Sequence, residues 1–277
     1  MIAATILFLF LFLALPALAA GYQPLRIEPS HLVFEGKPGE TITGSITVLN
    51  KGTESVTPKA ILTDWTLDLY NKLVLVSSGA SDSSLSGLIK FNPRQFTLKP
   101  QESQTVRFTV KIPRDASPGE RRGMIAFEQL VAYKSKVGAT AKVQVTSTVY
   151  VAIKPAKRTV EFVQGQLKTI KGLKDDPNAA ATMIAIALRG NGTAHFRGNA
   201  TFQIAKDGEK KPVAEGAFEP LVVLPQVTTR FLGGWKGQLD PGKYLVTITI
   251  RSEEAGTPPM VVSFEHVQNR SETAAQR

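Results

Sequence analysis

Apolar and polar residues alternate one by one over much of this chain, and the longest such run is Ala139 to Pro155, A-T-A-K-V-Q-V-T-S-T-V-Y-V-A-I-K-P. Its odd positions (Ala139, Ala141, Val143, Val145, Ser147, Val149, Val151, Ile153) are mostly apolar, those from Lys142 to Thr148 at even positions are polar, and the pattern lapses at Tyr150 and Ala152. Successive side chains of a strand point to opposite faces, so the run predicts one β-strand with a single apolar row. It is well beyond the usual length of about five or six residues. One ordinary small sheet does not bury a row that long, which leaves part of it for another purpose. The run stops at Lys154-Pro155, where proline has no N–H to give a ladder. One domain is expected before this point and a second after it.

Shorter alternating runs fill the rest. Leu25 to Phe34 predicts an irregular first strand broken at Pro29, and further strands are predicted at Thr41–Leu49, Val56–Trp65, Leu67–Val76, Leu88–Phe96, Gln104–Ile112 and Met124–Tyr133. Glycine, proline and asparagine clusters separate them, as at Gly36-Lys-Pro-Gly39, Asn50-Lys-Gly-Thr53 and Asp115-Ala-Ser-Pro-Gly119. The same grammar returns from Val160 to His266, and no amphipathic helix is evident. The pieces also echo one another in order. Leu98 to Phe108 resembles Leu224 to Phe231, Asn50 to Thr53 resembles Asn191 to Thr193, and Asp115 to Gly119 resembles Asp240-Pro-Gly242. Asp240-Pro-Gly-Lys-Tyr244-Leu-Val246 has the pattern of an immunoglobulin-type tyrosine corner, with Val246 at the place of the cysteine. The expected fold is therefore all-β, two immunoglobulin-like β-sandwich domains in tandem. The expected division is a leader over 1–20, domains over 21–155 and 156–268, and a disordered tail over 269–277.

Composition narrows the classes. A hydrophobic content of 43% and a charged content of 20% over 277 residues fit packed cores. The leader is uncharged and ends in Pro16-Ala17-Leu18-Ala19, the small-x-small pattern of a cleaved export signal. It has no basic n-region. A retained membrane anchor is the competing reading, against which the apolar run falls short of the roughly 20 residues that span a bilayer. An exported chain without cysteine holds its folds by core burial, with no disulfide and no thiol chemistry. The net charge of +10 is dispersed, and the aromatics do not interleave with Lys and Arg as nucleic-acid stacking platforms do. Nucleic acid is not an expected partner; attraction to acidic surfaces is the broader consequence.

Catalytic signals are weak. His31, His195 and His266 lie far apart in sequence without a carboxylate at metal spacing, no G-x-S-x-G elbow occurs, and Asp175-Asp176 precedes Pro177 as an ordinary turn does. Asn191-Gly-Thr193, Asn199-Ala-Thr201 and Asn269-Arg-Ser271 match a glycosylation pattern that also recurs by chance. Arg121-Arg122 is either a site for an acidic partner or a polar run entering a strand. No enzyme activity, metal or cofactor is expected.

The first half resembles the periplasmic chaperones of chaperone–usher pilus assembly, the PapD-like family. The matching residues are Ser30-His-Leu-Val-Phe34, Phe91-Asn-Pro-Arg-Gln-Phe-Thr-Leu-Lys-Pro100, Val106-Arg-Phe108, Gly119-Glu-Arg-Arg-Gly-Met-Ile-Ala-Phe127, and the long run closing in Lys154-Pro155. The resemblance covers about residues 25–157 and implies a periplasmic chaperone for secreted pilin-like subunits, with an outer-membrane usher as a further partner. It implies that residues 139–154 are lent to the subunit as a strand, with Ala139, Ala141, Val143 and Val145 as the donor row. The same residues packing in their own core is the other reading. The family grips the subunit's terminal carboxylate with a basic pair in the interdomain cleft; the matching positions are His31 and Tyr150, neither of them Arg or Lys. The glutamate of the family's interdomain ion pair falls at Arg122, while Lys154 keeps the basic residue before the linker proline. The alternative function is a structural or adhesive two-domain protein without chaperone activity.

Overall fold

A computed structural model describes residues 25–132, 140–173 and 176–269. Among these the chain is strand, turn and bend, with no helix. The leader and the tail from 270 lie outside the described residues.

Nine strands make the first sandwich: β1 (Leu25–Glu28), β2 (His31–Gly36), β3 (Thr41–Asn50), β4 (Lys59–Leu67), β5 (Leu73–Val76), β6 (Ile89–Asn92), β7 (Ser103–Lys111), β8 (Gly119–Ala132) and β9 (Thr140–Ile153). One sheet has the order β1-β3-β7-β6 and the other β2-β9-β8-β4-β5. The break expected at Pro29 is where the first strand changes sheets. β1 pairs antiparallel with β3, and after Pro29-Ser30 β2 pairs parallel with β9. Inward residues of both sheets, among them Ile46, Val106, Phe108, Ile125, Phe127 and Val149, close one core.

Leu67 to Val76 is not one strand. β4 runs on to Leu67, and the chain then turns on Asp68, whose Oδ1 accepts the N–H groups of Tyr70 (2.8 Å) and Lys72 (2.9 Å) before β5 begins. A short carboxylate that bonds its own backbone competes with a ladder, and here it wins.

The second sandwich follows: β10 (Val160–Leu173), β11 (Asp176–Gly190), β12 (Phe196–Lys206), β13 (Pro212–Ala217), β14 (Leu221–Val223), β15 (Thr228–Lys236), β16 (Gly242–Ser252) and β17 (Met260–Gln268). A sheet β10-β11-β15 faces a sheet β13-β12-β16-β17, with β14 beside β12. Ile184, Ile186, Phe202, Phe231, Val246 and Ile248 lie at its centre. At the side of this sandwich, Phe264 rests on the backbone of Gly165, where an added Cβ would lie 2.2 Å from the ring. Asp176, expected in a turn, is the first residue of β11.

Tyr244 is buried, and its hydroxyl donates to the Asp240 carbonyl at 2.8 Å, closing the corner anticipated from the sequence. Tyr244→Phe is expected to destabilise the second sandwich by about 0.5–1.5 kcal/mol, the worth of one hydrogen bond, and to leave the first unchanged. Denaturation followed by Trp65 fluorescence beside a second-sandwich signal from Trp235 checks this; a shift in both transitions would refute it.

Candidate functional site

The long strand has unequal edges. β8 pairs with β9 along its whole length, from Gly119↔Ile153 to Ala132↔Thr140. On the other side β2 covers only Thr148 to Ile153. Thr140 to Ser147 therefore meet no strand on that side among the described residues. Half of their backbone N–H and C=O groups point away from β8 and are free to pair with an added strand.

The apolar row divides at the same place. Val149, Val151 and Ile153 are wholly buried in the first core. Val145, opposite Phe127, is half-buried and packs against that core, whereas Val143, opposite Gln129, is half-buried outside it. Ala141 is paired with Val131, and Ala139 lies outside the described residues. On the reverse face Glu128 accepts from Gln144 (2.8 Å) and Lys142 (3.1 Å). These two partners, Gln144 first, hold its carboxyl below the ordinary range.

At the other end of β9, Tyr150 sits 4% exposed between Trp65, edge-on at 5.7 Å, and the ring of His195 at 4.1 Å. Trp65, Met124 and Tyr150 of the first sandwich bury a small apolar cluster with Leu224 of the second. A charged cluster lies against it. The buried Glu120 carboxylate accepts the backbone N–H of His195 at 3.0 Å and is hydrogen-bonded to His195 Nδ1, while its own N–H donates to the Thr193 carbonyl at 2.8 Å. Arg122 Nη1 stands 3.7 Å from Glu120 Oε1. Burial draws the Arg122 guanidinium down from its usual value, against the opposing pull of Glu120. Burial, and then the charge of Glu120, push the Tyr150 phenol up to about 12. A further tie joins the sandwiches at the β4–β5 turn, where Arg230 N donates to the Leu69 carbonyl at 2.7 Å and the Arg230 guanidinium lies over Tyr70.

An open cleft of about 360 Å³ separates the domains, lined by His31, Val33 and Glu35 of β2 and by Arg158, His195 and Arg197 beyond the linker, among others. Its cations are matched. Glu35 pairs with Lys154 and Arg158, both at 2.8 Å, Arg158 also reaches Glu254 at 3.6 Å, and Arg197 meets Glu253 at 3.2 Å. Lys154 and then Arg158 hold the Glu35 carboxyl below the ordinary range.

Of the residues singled out from the sequence, His31 lines the cleft, Tyr150 lies buried behind His195, and Lys154 is tied to Glu35. His266 sits on β17 opposite Tyr244 and bonds Gln268, away from any histidine partner. Among the described residues no group of three His, Asp or Glu is placed to hold a metal ion. Arg122 is not a surface site for an acidic partner but half of a buried ion pair. Glu120 was missed, and His195, weighed only as a metal ligand, was not matched with it. The readable signal was Glu120-x-Arg122-x-Met124, which puts the three side chains on one face of a strand.

No family model and no curated protein matches the chain. Solved structures with a similar fold include the class 5 fimbriae chaperone CfaA (11% identity, 86% of this chain and 98% of that one, TM-score 0.48). Another is a chain of the Salmonella enterica SafA pilin–SafB chaperone complex (8%, 90% and 99%, 0.45). A third is the Pseudomonas aeruginosa CupB2 chaperone (9%, 88% and 100%, 0.41).

Glu120→Ala leaves the buried Arg122 without its carboxylate and is expected to cost about 3 kcal/mol or more. Urea denaturation monitored in both sandwiches checks it, and a loss under about 1 kcal/mol would show the pair to be dispensable. The pKa of Tyr150 is raised, whereas those of the ion-paired carboxylates Glu35 and Glu128 are lowered. Its contribution to stability is complete below the unfolded tyrosine value, about 10, and is lost as pH rises towards about 12. The phenolate absorbance that the folded chain gains over folded Tyr150→Phe, the share of this one tyrosine, should accordingly appear only as pH nears about 12; its appearance before pH 11 or so would contradict the burial.

Proposed function

We propose that this protein is a periplasmic chaperone that binds secreted, β-rich, pilin-like subunits by lending them β9, without catalysis, and holds them for assembly at an outer-membrane usher. The observation that carries the reading is the half-open strand. Over Thr140 to Ser147 one edge of β9 is unpaired among the described residues, and Val143 of its apolar row stands outside the protein's own core. An incomplete sandwich that lacks a strand offers the complementary partner: free backbone groups along a groove and pockets for alternate side chains. The open cleft at the far end of the strand leaves room for the end of such a subunit. The export signal expected over 1–20 supports the compartment. The fimbrial and pilus chaperones are neighbours in fold; the reading itself rests on the sequence motifs and on the open edge.

A structural or adhesive role is favoured by one observation, the packing of Val145 against the first core. Val143→Asp separates the two. An aspartate there would carry an unpaired charge into a subunit's apolar groove. If β9 is donated, the variant keeps its fold, with stability changed by about 1 kcal/mol or less, and no longer co-purifies with a stoichiometric partner from the periplasm. If the row serves only the protein's own core, thermal denaturation shows the first sandwich unfolded. An intact fold with undiminished partner recovery would reject donation at this residue.

A further inference from the structure

The outer face of the β1-β3-β7-β6 sheet has an unusual chemistry. Its outward residues are Thr41, Thr43, Ser45 and Thr47 on β3, and Ser103, Thr105, Arg107, Thr109 and Lys111 on β7. Lys90 and Asn92 on β6, and Arg26 and Glu28 on β1, complete it. Lys90 lies opposite Thr109, which makes Arg107 and Lys111 its two diagonal neighbours, about 7–8 Å away. All three cations are exposed, and none has a carboxylate within ion-pair reach among the described residues. Three like charges around one threonine repel, and Glu28 of the same face stands on β1, two strands from β7. The outer face of the second sandwich's larger sheet differs, because there Glu215 and Glu265 stand among Lys243 and Arg251.

We propose that this face docks on an anionic lipid surface, with Lys90, Arg107 and Lys111 facing the phosphates and the surrounding hydroxyls sharing their oxygens. Charge complementarity supplies the attraction, about a fivefold gain in affinity for each basic residue near such a surface. The rest of the face decides between kinds of anionic partner. It presents no aromatic and, apart from the flank at Leu49, no large apolar side chain, so it lacks the dehydrated anchors of a protein–protein interface. The three cations sit on β6 and β7, which pair with one another from Ile89↔Val110 to Asn92↔Arg107, while the other side of β7 is paired with β3. What remains suits a hydrated, phosphate-rich plane that is touched without insertion.

The test is co-sedimentation of the full chain with vesicles of phosphatidylcholine alone or containing about 30 mol% phosphatidylglycerol. Phosphatidylcholine alone controls for any apolar insertion by the leader. Binding only to the anionic vesicles, reversed between about 50 and 500 mM salt, is expected. The triple variant Lys90→Gln, Arg107→Gln, Lys111→Gln should bind at least about tenfold more weakly with an unchanged melting temperature. The triple variant Lys206→Gln, Lys243→Gln, Arg251→Gln removes the same charge from the second sandwich and should bind as the parent does. Equal loss in both variants would assign the effect to net charge and overturn the proposal. Retention on heparin without vesicle binding would point to an anionic polymer instead, and binding to neither would leave an ordinary solvated face; both refute it.

Discussion

A carboxylate taken out of water must be matched, and in this protein that requirement falls between two domains. Glu120 is 4% exposed on the last strand pair of the first sandwich, and its hydrogen bonds go to His195 of the second. Neither sandwich alone satisfies it. Separating them would strip Glu120 of its hydrogen bonds to His195 and admit water to it and to Arg122, with Tyr150 and Trp65 uncovered beside them. With no cysteine in the chain, this pair and the small cluster around Tyr150 set the relation of the domains. The cleft follows from that relation.

β9 meets three demands in one strand. Its last third is core, its outer edge there is covered by β2, and its first half leaves an edge open. The parallel pairing with β2 is what divides it. Because the first strand crosses to the other sheet at Pro29, β2 begins too late to reach beyond Thr148. A proline near the amino end of the described chain thereby fixes how many residues of a strand over a hundred positions later are available. The reverse face of that free stretch is held by Glu128, Gln144 and Lys142, so the ribbon is kept in extended form while its edge stays unpaired.

Much of this was legible in order of sequence. Alternation located the strands because one face of each sheet is buried and the other wet. The tyrosine corner announced itself because its residues are local. The long run at Ala139 to Pro155 was readable for the same reason. What stayed hidden was non-local. Nothing in the pattern reports that Glu120 meets His195, seventy-five residues later, because a carboxylate beside two arginines looks like a solvated strand entry. The departure at His31 and Tyr150 was visible, but its sense was not. Tyr150 packs where a basic residue was expected, and the charge balance of the cleft passes to Glu35, Arg158 and Lys154. The Leu67 to Val76 run misled because apolar content outweighed the one aspartate that makes the turn.

The contact between the Leu69 carbonyl and Arg230 N has a mechanical meaning. A covalent link alone is a universal joint, free to bend and to twist. The Glu120–His195 pair adds a second fixing point and the β4–β5 turn a third. Three points that do not share a line define a plane, so a load applied to one sandwich is carried to the other as compression and tension across the mount. A force transmitted along β9 would meet a stiff bracket, one that yields by breaking a tie before it swivels.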